Sequence, residues 1–341
     1  MSGKDGRRPT IRDVAERAGV SKSLVSLVMR SSAQVSPARR KAVLDAARAL
    51  GYRPNSVARS LVEGRTRTVG VIVSDLRNPW YVDILESFRR VLHGDGMRVL
   101  IGAGELEHRL DQTVVEAFLD LRVEALCVVG SLPFDPVLAD AMGSVPAVVA
   151  SSHGYELPTV DSVVNDDVHG MRLAVEHLVG LGHRRIAHIG GGAAGVFQAR
   201  REGYETAMRA LGLAEHVRVE RCENDEQTGY AATRRLLGCD DPPTAIVAVN
   251  DMACLGAVSA AADLGVDVPA RLSVVGYDNT PLAGTSHLSL TSVDPRNPEI
   301  GELAARRLLA RLAEGGAPGV RDLISPRLAV RRSTGHPPAD R

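Results

Sequence analysis

The sequence lacks the features that announce a membrane, an export route or a metal centre. No window of eighteen or more apolar residues occurs, and residues 1–10 are polar and charged with no apolar stretch, so neither membrane insertion nor secretion is signalled and the cytoplasm is expected. The four cysteines, Cys127, Cys222, Cys239 and Cys254, lie far apart with no CxxC pair, which fits reduced thiols better than a disulfide frame or a zinc site. His177, His183 and His188 lack metal-ligand spacing, and there is no GxSxG elbow, no GxxxxGK[ST] loop and no Cys/His pair close in sequence. No metal, cofactor or catalytic residue is expected.

Net charge is missing as well, because 41 Lys/Arg balance 41 Asp/Glu, yet the balance is uneven along the chain. Residues 1–67 hold 15 basic against 5 acidic side chains, +10, and the remainder 26 against 36, −10. A compact basic head on an acidic body suits a protein whose one end meets phosphate while the other stays off it. With 341 residues and 44% hydrophobic content, a small head plus a large α/β body is affordable.

Within the head, Thr10 precedes apolar Ile11, Val14, Ala15 and Ala18 at helical spacing, and Asp13 completes a near capping box. Gly19 interrupts the pattern, and Ser21 caps a second helix running to Arg30 with the stripe Leu24, Val25, Val28 and Met29. Small Ala15, Gly19 in the turn and Val25 are what two helices crossing closely near a right angle require, a helix-turn-helix signature. A third helix follows, capped by Ser36, with Pro37 in its first position, Leu44, Ala47 and Leu50 facing inward, and Gly51 as the stop. An ordinary three-helix bundle with a basic surface fits the same helical pattern; the charge asymmetry argues against it.

Thr10-Ile-Arg-Asp-Val-Ala-Glu-Arg-Ala-Gly-Val-Ser, Val25-Ser26, Val35-Ser36 and Ala49-Leu-Gly-Tyr-Arg-Pro-Asn55 together resemble the head of the LacI/GalR family. The resemblance implies that the second helix lies in the major groove, with Ser21, Lys22, Ser23, Ser26 and Leu27 facing DNA, Thr10 beside them, and Ser21 and Ser26 at phosphates. Leu27 stands where the family usually has Arg, so a bidentate guanine contact gives way to an apolar one and the operator departs from the usual consensus there. Residues 55–63 (Asn-Ser-Val-Ala-Arg-Ser-Leu-Val-Glu) resemble the family hinge, in which Asn55, Ala58 and Arg59 meet DNA at the minor groove and Leu61 wedges between base pairs; a simple flexible tether is the alternative.

Beyond residue 68, short apolar runs alternate with helical stretches, the mark of parallel α/β architecture. Residues 69–74, 98–103, 125–129 and 147–150 read as strands of one half, and 186–190, 217–220, 245–249 and 273–277 as strands of another. Two doubly wound halves with a cleft between them place ligand-binding residues at the C-terminal strand ends. Asp75, Trp80, Tyr81, Arg200, Asn250, Asp251 and Asp278 collect there, with Asn224 a further candidate. Carboxylates, a carboxamide and a guanidinium satisfy vicinal hydroxyls, and Trp80 could cover the apolar face of a pyranose. Each has a bland reading too: a turn former, ordinary packing, or, for Arg200, a pairing with Glu202 or Asp225.

The body also resembles the family's periplasmic-binding-protein-like core, through Gly182-His-Arg-Arg-Ile186, Arg200-x-x-Gly-Tyr204, Asn250-Asp251, Val274-Val-Gly-Tyr-Asp278 and Leu328-x-Val-Arg-x-Ser-Thr334. By match of position, Arg200, Asn250 and Asp278 are the effector contacts. Ser151 replaces an acidic residue and Asp294-Pro295 stands where a Gln is frequent, so the effector differs from those of better-known members. The resemblance implies an all-α helix-turn-helix domain (1–54), a hinge helix and linker (55–67) and an α/β body of two doubly wound subdomains (68–341). It implies a repressor, a homodimer on a palindromic double-stranded operator, controlled by a sugar or sugar derivative. The tail from Gly335 has no heptad pattern, which argues against a C-terminal tetramerising helix.

Two other classes compete. Gly190-Gly-Gly-Ala-Ala-Gly195 spells GxGxxG after a strand, with Glu220 ending the next, as a dinucleotide-binding enzyme would; yet it opens the second half of the body rather than the first βαβ unit. A solute-binding protein would need an export signal and no basic head.

Overall fold

The computed structural model describes residues 9–29, 34–52, 64–74, 76–103, 112–130, 132, 134–151, 157–191 and 195–339. The chain divides into two compact units, residues 1–66 and 67–341.

The first unit holds α1 (Ile11–Ala18), α2 (Lys22–Met29) and α3 (Pro37–Leu50). Both ends of α1 follow from side-chain and backbone chemistry. The Thr10 N–H and hydroxyl donate to the Asp13 carboxylate at 2.6 and 2.8 Å, and Gly19, at φ 64°, sends its N–H back to Glu16 while Val20 reaches Ala15. Val14, Ala15, Val25, Val28, Val43, Ala46 and Ala47 close the core. Leu44 corrects the sequence reading: it is 39% exposed, because the buried stripe of α3 runs one residue earlier, through Val43.

The second unit contains two six-stranded sheets. The first half contributes β1 (Thr68–Val73), α4 (Trp80–Gly94), β2 (Arg98–Ala103), α5 (Gln112–Asp120), β3 (Ala125–Val129), α6 (Pro136–Ser144), β4 (Ala147–Ala150) and β5 (Asp161–Asn165). The second contributes α7 (Asp167–Gly180), β6 (Ile186–Ile189), α8 (Gly195–Ala210), β7 (Arg218–Glu220), α9 (Glu226–Leu237), β8 (Ala245–Ala248), α10 (Asp251–Asp263), β9 (Ser273–Tyr277) and β10 (Thr291–Asp294). The chain then crosses back for α11 (Asn297–Glu314) and β11 (Arg321–Ile324), and over again for β12 (Arg327–Ala329).

Sheet order is β11-β5-β4-β3-β1-β2 in one half and β12-β10-β9-β8-β6-β7 in the other. The pairings are parallel except β10 with β12. β1 is buried along its whole length, as a central parallel strand covered on both faces must be, with Val69, Val71 and Val73 turned to α4 and α11 and Ile72 to α5 and α6. α4 and α11 approach closely because residue 301 is glycine; a Cβ there would lie 2.3 Å from the Ile84 carbonyl. Three passages join the halves, after β5, β10 and β11, and strand order reverses at β1 and at β6, where doubly wound sheets open a crevice at their C-terminal ends. Among the described residues, no helix is long and apolar enough to cross a membrane and no group of three side chains is placed to hold a metal.

Candidate functional site

In the head, Ser21 caps α2, its Oγ accepting the Leu24 N–H at 3.2 Å. Lys22 and Ser23 stand exposed in the first turn of α2, and Ser26 and Leu27, four residues on from each, continue the same face half-buried. Thr10, half-buried, is engaged by Asp13 at the start of α1. Asn55, Ala58, Arg59 and Leu61 lie outside the described residues, as does Asp75 in the body.

The body concentrates its polar chemistry where β9 ends. Arg200, in the second turn of α8 and 6% exposed, donates through Nε to Asp167 at 2.8 Å and through Nη2 to Asp278 at 3.4 Å; Nη1 reaches the Val249 carbonyl. Its guanidinium lies 3.6 Å from the centre of the Tyr277 ring. The pairing with Glu202 or Asp225 considered from sequence does not occur: Glu202 accepts from Gln198, and Asp225 caps α9. Desolvation works against the Arg200 charge, but Asp167 and Asp278 outweigh it and hold the group fully protonated.

Asp278 is 4% exposed and has φ 102°; Asn279 beside it has φ 47°. Two consecutive non-glycine residues at positive φ are strained, and the surroundings impose the conformation. The Asp278 N–H bonds the Val293 carbonyl, Asn297 Nδ2 bonds the Asp278 carbonyl at 2.9 Å, and Arg331 Nη2 grips Asn279 Oδ1 at 2.6 Å. Burial pushes the Asp278 carboxyl up to about 8; Arg200 opposes this, while Asp251 and Asp167 add to it. Asp251, in the first position of α10, accepts from the Thr280 N–H and hydroxyl and from Ser292 Oγ. With its donors all uncharged, burial still raises it to about 6.

A polar relay crosses between the halves: Ser151 Oγ donates to Asn165 Oδ1 at 2.7 Å, and Asn165 Nδ2 to the Tyr277 hydroxyl at 3.4 Å. Gly170 makes room for that hydroxyl, since a Cβ there would sit 2.5 Å from it. Thus Ser151, Asn165, Tyr277 and Arg200 form one physical chain from the first sheet to the second.

The other expected site residues are placed less freely. Asn250 caps α10, accepting the Ala253 N–H at 2.8 Å and donating to the Asn224 carbonyl at 3.0 Å, so both ends of its carboxamide are engaged; Asn224 itself is half-buried. Trp80 and Tyr81 open α4 and belong to the core of the first half, packed edge to face with centroids 4.7 Å apart. The Tyr81 hydroxyl bonds Ser74, and the buried Trp80 Nε1 has no acceptor among the described residues. Of the GxGxxG run, Gly190 and Gly191 follow β6, 192–194 lie outside the described residues, and Glu220 pairs with Arg235 at 2.6 Å. Sequence reading passed over Asp167 and Asn165. The doublet Asp166-Asp167 carried the signal, because Asp166 alone caps α7 and leaves its neighbour available.

Residues 10–55 match the model for bacterial regulatory proteins of the lacI family, and residues 175–334 the periplasmic binding protein-like domain. The HTH-type transcriptional regulator GalR of Escherichia coli (strain K12) is 32% identical over 332 residues, covering 96% of each chain. The HTH-type transcriptional repressor PurR of Mannheimia succiniciproducens is 30% identical over 333 residues, covering 95% of this chain and 98% of its own. Among solved structures, the lac repressor dimer bound to operator and the anti-inducer ONPF has a TM-score of 0.81 at 28% identity, covering 96% of this chain and 100% of that one. A CelR–cellobiose complex has a TM-score of 0.70 at 31% identity with the same coverage. Matched in both parts and along nearly its whole length, the chain belongs to the LacI family of DNA-binding transcriptional regulators, which are not enzymes.

Proposed function

We propose that the protein is a repressor that binds a near-palindromic operator as a homodimer and changes its grip when a sugar or sugar derivative enters the cleft of the body. The observation that carries the effector reading is Arg200, buried between Asp167 and Asp278 and stacked on Tyr277 at the C-terminal edge of β9. The 3.4 Å link from Arg200 to Asp278 is long, and a hydroxyl that replaced it would accept from the guanidinium and pair with the Asp278 carboxyl in either protonation state. The CelR structure contains cellobiose, a ligand of that chemistry. Face residues Lys22, Ser23 and Leu27 of α2 are the base-reading set, with Ser21 and Ser26 at phosphates and Thr10 beside them, and residues 55–67 form the hinge.

Coupling requires that the effector bind the operator-competent and incompetent bodies unequally, typically by about 1–3 kcal/mol. Because Tyr277 touches both Arg200 and the Asn165 relay, occupancy of the cleft acts on the joint between the halves. The test is selection of duplexes from a random pool by the full-length protein at two salt concentrations, followed by titration of the selected site with sugars. A near-palindromic consensus released by a sugar is expected. Salt-sensitive retention with no consensus, in the presence or absence of sugar, overturns the reading.

A further inference from the structure

Next to the Arg200 cluster, at the passage from β10 to α11, a concavity of about 350 Å³ is lined by Asp83, Asn279, Asp294, Asn297, Glu299 and Arg327, among others. It bridges the halves: Asp83 lies in the first turn of α4, whereas Asn279 and Asp294 follow and end β9 and β10. Its cations are already answered. Arg296 pairs with Glu299 at 2.5 Å, and Arg327 Nε with Asp294 at 2.9 Å, while the Arg296 N–H also binds Asp294.

Its acceptors are not. Asp83 is half-buried, and no hydrogen bond or ion pair from the described residues reaches it; burial, Glu86 and Asp294 all hold its carboxyl above the ordinary range. Asn297, only 2% exposed, spends Nδ2 on the Asp278 carbonyl, and its buried Oδ1 has no donor among the described residues. Two independent observations point the same way: the orphaned carboxamide oxygen lacks a donor and the unbalanced carboxylate lacks a positive charge, and a cation rich in N–H donors supplies both. A hard divalent ion would want six or more oxygens, more than the unpartnered acceptors of this wall supply. An ammonium needs three acceptors.

We infer that this concavity is an ammonium subsite, and that the effector carries a primary amine, as an amino sugar does. The inference rests on the effector reading above and narrows it. Anionic effectors such as sugar phosphates are disfavoured by Asp83, Asp294 and Glu299, three carboxylates against the two guanidiniums of this wall.

The experiment follows thermal unfolding of the full-length protein in ethanolammonium chloride and in tetramethylammonium chloride, a cation without N–H donors, at equal ionic strength. Ethanolammonium should give a saturable rise of about 2 °C over the control, abolished in Asp83→Asn. Equal curves in the two salts overturn the subsite, whatever the variant does. Operator release by D-glucosamine and D-glucose then separates the two claims. Release by both to the same extent sinks the amine preference and leaves the sugar reading standing. Saturable ethanolammonium binding, with no sugar or amino sugar affecting the operator, sinks the sugar reading and supports the subsite.

Discussion

Replacing Asp278 by asparagine keeps the shape of the side chain and removes its titration, and the effect on stability can be worked out in advance. The carboxyl is raised from an ordinary value of 3.8 to about 8 in the folded protein. Between those limits the folded state holds a proton that the unfolded chain has released, so the wild type loses stability as pH rises, by at most about 1.4 kcal/mol per pH unit. A carboxamide contributes no such slope. From pH 5 to pH 7 the stability of Asp278→Asn relative to wild type should therefore climb by roughly 2–3 kcal/mol, whatever offset the variant has at pH 5. Asp251, also raised, titrates in both proteins and largely cancels from the difference. Urea unfolding at pH 5, 6 and 7 measures it. Parallel profiles for the two proteins would show that Asp278 is ionised throughout and that Arg200, not burial, governs it.

Two further substitutions probe other joints in the argument. Gly170→Val drives a side chain into the Tyr277 hydroxyl; a loss of about 1–3 kcal/mol in urea unfolding is expected, together with a weaker effector response as the ring leaves the guanidinium, and wild-type behaviour in both would refute the contact. Leu27→Arg should add a guanine preference worth about 1–3 kcal/mol at one position of each half-site, read by repeating the duplex selection; an unchanged consensus would mean that this face of α2 does not look at bases.

Short, largely apolar runs made β2, β3, β4 and β9 readable from sequence to the residue, and β1, β6, β7 and β8 to within one residue at either end. β5, β11 and β12 were not. Asp161, Arg321 and Arg327 make them look like loops, and what holds them as strands is tertiary: Asp161 is buried because Arg311 reaches it at 2.6 Å, and β12 exists by pairing antiparallel with β10. Helix phase failed at Leu44 for a related reason, since α3 offers both Val43 and Leu44 and only packing against α1 chooses between them. In the candidate site, Arg200 and Asp278 stood out by position, but their relation did not. Asp167 and Asp278 lie 33 and 78 residues from Arg200, and only the closing of the second sheet brings them together. In sequence Tyr277 marked only the end of a strand; its ring is fully buried, and its role as a platform for a buried cation depends on Gly170 leaving space.

The three passages between the halves also order the birth of the molecule on the ribosome. The face of the first sheet that ends up against Ile300, Ala304 and Leu308 has only α4 to cover it when β5 emerges, and it stays half covered while the whole of 167–294 is made. The second half, by contrast, lacks only β12 when its last central strand appears. The later-made half is thus the first able to complete its core, and the earlier one, with Val69, Val71 and Ile84 awaiting α11, is where a nascent chain would need protection from aggregation.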